Sequence, residues 1–240
     1  MSDYTSHITE GHTVRSYDAD LEELRTLALE MGGLTVDQVD KAVASIRDQD
    51  LDSADEVVER EKQVNDYDTR GEEIIFNLLA KRQPMAFDLR VIMSYLRAVT
   101  DLERCGDEAK KIAKISRGHI RDGLPKVDHF ETSVGNVGKL ASELLKQAVE
   151  ALDEADEEKA VSAAQADARL DAEYKVALRG VHNSLLDDPE LIEQAADLVI
   201  VIKALERIGD HAKNIAKYVV FIVQGKDVRH VKTKVLDQEI

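Results

Sequence analysis

The chain of 240 residues has no tryptophan, and aromatic residues make up only 4 % of it. It has one cysteine, Cys105, and three prolines. A single cysteine excludes an intrachain disulfide, and a cytoplasmic location is the simple expectation. Period-2 runs of β-branched residues are scarce, so almost no sheet is expected. Long hydrophobic runs are missing as well. The longest apolar stretch near the end, Tyr218 to Val223, is far too short to span a bilayer. The N-terminal segment MSDYTSHITEGHTV has neither a basic lead nor an apolar core, so no signal peptide is expected. No basic stripe with interleaved aromatics occurs, and the net charge of −16 repels phosphate backbones, so no nucleic-acid partner is expected. Phosphate-cradling glycine loops, nucleophile elbows and triad spacings are all absent, and with them any sign of an enzyme.

What is present is helical. Ala, Leu, Glu, Asp and Lys dominate, and 43 % of residues are hydrophobic, enough for a sizeable core. The segment Leu102 to Lys114, LERCGDEAKKIAK, recurs as LERIGDHAKNIAK at Leu205 to Lys217. Ten of the thirteen positions match, all at one offset, which points to two copies of one structural unit. Apolar rows at helical spacing predict three long helices per copy, joined by short turns. The expected class is all-α, two tandem three-helix bundles. A polar arm is expected at 1–17, the first repeat at 18–118, a connection at 119–129, the second repeat at 130–224 and a basic tail at 225–240. The Gly32-Gly33 pair should interrupt the first helix, as a kink or a close helix crossing.

The chemistry lies in paired oxygen ligands four residues apart, a spacing that puts both on one helix face. Glu103 and Asp107 form one pair, Glu206 and Asp210 its repeat. Glu61 and Asn65 precede the first pair, and Asp167 and Asp171 precede the second. Glu61 falls between Val57 and Val64 of an apolar row, and Asp167 between Ala163 and Leu170, where an unpaired carboxylate is costly. Counting residues back and forward from the turns near 83 and 188, at about 1.5 Å per residue, sets each helix-borne pair level with its partner pair. Two readings follow. Carboxylate and amide oxygens can hold a metal ion. Alternatively, neighbouring Arg60, Arg104, Arg169 and Arg207 can neutralise the acids by ion pairing. No Glu-x-x-His occurs, so the ferritin-like ligand pattern is missing. Cys105 aligns with Ile208 and reads as a packing residue, and His211 as an exposed variation.

These stretches carry a resemblance. LRTLALEMGGL (Leu24 to Leu34), KRQPMAFDLR (Lys81 to Arg90), the doubled LERxGD and GKDVRHV (Gly225 to Val231) make the chain similar to the PhoU family along nearly its whole length. The resemblance implies two similar three-helix bundles whose E/DxxxD elements can carry iron or zinc clusters; hard oxygen ligands by themselves suit magnesium or manganese as well. Carried over, the metal residues are Glu61, Asn65, Glu103 and Asp107 in one site and Asp167, Asp171, Glu206 and Asp210 in the other. Asn65 departs from the pattern, which predicts a weaker first site or one with fewer ions. The family resemblance further implies a regulator that represses the phosphate-starvation response when phosphate is plentiful. It would link the ATPase subunit of the phosphate ABC transporter to a membrane sensor histidine kinase, as a homodimer that meets the membrane only through its partners. A metal-storage or redox protein and a metal-free structural adaptor are the competing functions.

Overall fold

The computed structural model describes residues 15–124 and 127–231. Six long helices account for nearly all of them: α1 (Arg15–Asp48), α2 (Leu51–Arg82), α3 (Phe87–Arg121), α4 (Asp128–Glu154), α5 (Glu157–Asp187) and α6 (Ile192–Gln224). Among the described residues there is no strand, and one 3-10 turn, Pro189–Leu191, opens α6. The all-α expectation therefore holds.

Local signals set the ends. Asp50 caps α2, its carboxylate accepting from the backbone N–H groups of Asp52 and Ser53. Asp156 caps α5 by accepting from the Lys159 N–H at 3.0 Å. The first bundle's last helix runs three residues into the segment expected as the connection, to Arg121. Gly118 stays helical, and the helix stops only where Gly123 turns left-handed (φ 66°). The amide of Leu124 then bonds back to the His119 carbonyl and that of Gly123 to Ile120, satisfying carbonyls at the helix end. The arm expected at 1–17 lies mostly outside the described residues. Its last three residues already belong to α1, and Tyr17 is buried. Of the tail, 232–240 lie outside, and Val228 is buried against the body.

Gly32-Gly33 does not interrupt α1, which is continuous. Gly32 instead marks a close crossing. A Cβ there would stand 2.8 Å from Val149 Cγ1 of α4. The same antiparallel crossing continues at Gly138 of α4, where a Cβ would meet Val43 of α1, and at Ser142, whose hydroxyl donates to Asp40 at 2.5 Å.

Helices α1, α2 and α3 pack on one another, as do α4, α5 and α6, and the two triads join through α1–α4 and α3–α6. One hydrophobic core runs through both. Pairings across α3–α6 show that these helices also run antiparallel. Asp101 meets His211, Glu108 meets Arg207, and His119 meets Asp197. The α2–α3 turn and the α5–α6 turn therefore point to opposite ends. Both expose apolar side chains: Met85 and Leu89 at the first, Leu186 and Ile192 at the second.

Candidate functional site

Each hairpin, α2–α3 and α5–α6, carries an acid cluster in the seam between its helices. In the first, Glu61 is 8 % exposed, although it is a carboxylate in an apolar row. The rule against burying an unpaired charge is met by a lysine. Lys110 Nζ lies 2.7 Å from Glu61 Oε1, and the Asn65 amide donates to the same oxygen at 3.0 Å. Burial alone would push the Glu61 carboxyl up, but Lys110 and Asn65 outweigh it and the net shift is downward. Asp107, beside Glu61, adds to the lowering. Glu103 goes the other way. Burial raises its carboxyl, and the charges of Asp107, Asp68 and Glu61 add to the rise against the pull of Arg104. Thus Glu61, Glu103 and Asp107 come together as the counting required, and Asn65 sits among them as a donor.

The second cluster repeats the plan with a tighter centre. Asp167 is 6 % exposed. Lys213 Nζ lies 2.7 Å from Asp167 Oδ2 and 2.6 Å from Asp210 Oδ1, so one ammonium bridges carboxylates on α5 and α6. Burial keeps the Asp167 carboxyl raised despite Lys213, and the charges of Asp171 and Asp210 add to it. Burial would lower the Lys213 ammonium, but its two carboxylates outweigh this and hold it raised. Glu206 turns to Lys203, 2.6 Å away, and Lys203 also sits over the Tyr174 ring at 5.6 Å.

Three residues escaped the sequence reading. Lys110 and Lys213 are equivalent positions of the repeated segment, three residues after Asp107 and Asp210. Their match between the copies was the available signal. Asp68 lies two turns along α2 from Glu61, on the same face, and burial together with Glu72 raises its carboxyl. Its counterpart in the second repeat is Tyr174.

The arginines expected to neutralise the clusters mostly serve elsewhere. Arg60 pairs with Asp37 and Glu56, and Arg207 with Glu108 across the α3–α6 seam. Only Arg104 reaches cluster acids, Glu103 at 3.3 Å and Asp107 at 3.9 Å. Arg169 is exposed. His211 is not an exposed variation. Its Nδ1 lies 2.7 Å from Asp101 Oδ1, and the Tyr218 hydroxyl donates to Asp101 Oδ2 at 2.7 Å, so the three form a network between the bundles. Cys105 is fully buried, and burial pushes its thiol well up. Packing, not nucleophilic chemistry, explains it.

Among the described residues, no three His, Cys, Asp or Glu side chains are already arranged around a metal position. The donor chemistry nonetheless suits a hard cation, because each cluster offers oxygens from two helices. In the second cluster a stand-in cation, the Lys213 ammonium, sits between two of them. A cation would remove the mutual repulsion that now helps raise the Glu103 and Asp167 carboxyls.

Comparison with known proteins agrees with this two-fold plan. The family model described as the PhoU domain matches twice, at residues 28–116 and 134–219, once on each triad of helices. The Pseudomonas aeruginosa protein described as a phosphate-specific transport system accessory protein PhoU homolog is 37 % identical over 229 residues, 95 % of this chain and 94 % of its own. The Escherichia coli phosphate-specific transport system accessory protein PhoU is 31 % identical over 227 residues, 95 % of this chain and 93 % of its own. The crystal structure of PhoU from Pseudomonas aeruginosa superposes with a TM-score of 0.83, covering 88 % of this chain and all of that one. That of the phosphate transport system regulatory protein PhoU from Streptococcus pneumoniae, 27 % identical, gives 0.78 over 88 % of this chain and 99 % of its own. With both copies matched by the family model and relatives at 31 and 37 % identity over 95 % of its length, the chain belongs to the PhoU domain family.

Proposed function

We propose that this protein is a regulatory adaptor of phosphate homeostasis that restrains the phosphate-starvation response when phosphate is plentiful. It acts in the cytoplasm as a homodimer. Its partners are the ATPase subunit of the phosphate ABC transporter and the membrane sensor histidine kinase of the phosphate two-component system. It has no catalytic role of its own. The observation that carries this reading is likeness along 95 % of the chain to relatives named as accessory proteins of phosphate-specific transport. Two properties are compatible with reaching the membrane only through partners. No helix among the described residues is long and apolar enough to cross a bilayer. A net charge of −16 disfavours direct adhesion to anionic lipid. Deleting the gene should raise alkaline phosphatase expression in phosphate-rich medium, and complementation should restore repression. Unchanged expression in the deletion strain would overturn the proposal.

The acid clusters form the metal-binding part of the same reading. Glu61, Asn65, Glu103 and Asp107 would hold an ion on the α2–α3 hairpin, and Asp167, Asp171, Glu206 and Asp210 on α5–α6. Iron or zinc clusters, or magnesium or manganese, fit the oxygen donors. A bound cation would neutralise the acids and cross-link the two helices of each hairpin. The second reading is a metal-free adaptor, and Lys110 and Lys213 favour it because they already pair with the acids. Elemental analysis after gentle purification separates the two, with Glu103→Ala and Asp210→Ala as controls. Metal in the wild type that both variants lose supports the first reading, and protein free of metal supports the second.

A further inference from the structure

The two lysines occupy the place a cation would take. Lys110 and Lys213 stand at matching positions of the repeat, and each reaches from the later helix of its hairpin into the seam. Lys213 contacts carboxylate oxygens of both α5 and α6, at 2.7 and 2.6 Å. Those are oxygens a divalent ion would need, at about 2.0–2.6 Å. An ammonium and a divalent ion cannot share them, because the same lone pairs serve both and the cations repel at such a distance. Nor is the pairing a surface coincidence. The side chains are 19 % exposed for Lys213 and 9 % for Asp167, whereas Lys139 beside Glu143 on α4 is 75 % exposed.

We propose that Lys110 and Lys213 are resident counter-ions that hold the acid clusters closed in the metal-free protein. Each must leave its cluster when a divalent cation is taken up, so metal loading of each repeat delivers a lysine ammonium to the surface. The lysines thereby set the affinity of the sites and couple occupancy to surface charge. The two copies are not equal. Lys213 bridges two carboxylates, whereas Lys110 has Glu61 as its carboxylate partner and shares the oxygen with Asn65. Removing Lys213 therefore releases more binding than removing Lys110. This inference rests on the metal-binding reading above.

The test uses the full chain, stripped with chelator and titrated with manganese(II) by calorimetry. Lys110→Met and Lys213→Met keep the apolar stem and remove the charge. Each should tighten manganese binding on the order of tenfold, by removing a competing unit charge, with the larger gain at Lys213. Lys213→Arg keeps the charge and should show no gain. A second readout needs no variant. Amine labelling of the wild type, followed by mass spectrometry, should show Lys110 and Lys213 becoming more reactive as manganese is added, while Lys139 stays constant. If the wild type binds manganese but neither the variants' affinity nor the labelling of the two lysines changes, the counter-ion proposal is overturned and the metal-binding reading stands. If neither the wild type nor the protein carrying both Lys110→Met and Lys213→Met takes up manganese, the counter-ion proposal is overturned, and the elemental analysis above decides the metal-binding reading.

Discussion

Cys105 Sγ of α3 lies 3.9 Å from the backbone carbonyl oxygen of Ile208 on α6, and the two residues hold the same position in the two copies of the repeated segment. Equivalent residues can meet in this way only where the copies are related by an approximate two-fold axis running between them. Pairings on either side of the crossing, Glu108 with Arg207 and Asp101 with His211, then clamp the antiparallel helices together. The protein resembles a symmetric dimer written on one chain.

The thiol at this crossing should be chemically silent. Burial raises it strongly, with Asp101 and Glu108 adding to the rise, and an unreactive thiol follows from both the missing thiolate and the missing access. A chromogenic thiol reagent should modify native protein negligibly over an hour and react stoichiometrically in concentrated guanidinium. Rapid reaction of the folded protein would contradict the placement of Cys105.

Two helical glycines should respond to alanine in opposite directions. At Gly33 an added Cβ meets nothing within 4 Å, so Gly33→Ala should stabilise by up to about 1 kcal/mol through helix propensity. At Gly138 the same atom would stand 2.4 Å from Val43 Cγ2 and 2.8 Å from its Cγ1. A β-branched neighbour cannot swing aside freely, so the α1–α4 crossing must open. Overpacking costs about 1–3 kcal/mol and should exceed the propensity gain. Thermal unfolding should rank Gly33→Ala above wild type and Gly138→Ala below it.

The Asp101 network should show coupling. Asp101→Ala leaves the Tyr218 hydroxyl buried without its acceptor, a loss of about 1–3 kcal/mol. Tyr218→Phe should cost less, because Asp101 keeps His211. The doubly substituted protein should lose less than the sum of the two, measured by urea unfolding at neutral pH. Strict additivity would show that the contact contributes nothing.

Alkaline pH should destabilise the fold through its buried phenols. Burial raises the Tyr17, Tyr95 and Tyr218 hydroxyls above the ordinary value of about 10, with Asp88 adding at Tyr17 and Asp101 at Tyr218. A raised folded-state value means stability that is complete below about pH 10 and is lost as the pH climbs toward the folded values. Each such tyrosine steepens the fall by up to about 1.4 kcal/mol per pH unit, and Tyr218→Phe should shallow it by one proton. Denaturant midpoints measured from pH 9 upward give the slope.

Much of this architecture was legible in the sequence because it is local or repeated. Helical rows, hairpin turns and the i, i+4 acids need only spacing, and residue counting from the turns was enough to bring Glu61 to Asp107. The occupants of the clusters were harder to foresee. A lysine three residues beyond an acid usually belongs to a solvated face, and only the match of Lys110 with Lys213 argued otherwise. Asp101 and His211 were illegible for another reason. Neither is shared by the two copies, and they meet only because α3 and α6 run antiparallel, a long-range choice that no local pattern encodes.

That antiparallel choice separates the two hairpin turns. From the crossing at Cys105 and Ile208, each of α3 and α6 runs back about 25 Å to its own first residue, at 1.5 Å per residue. The exposed Met85 and Leu89 thus stand about 50 Å from Leu186 and Ile192. The two ends are far enough apart for two separate bodies to engage them at once.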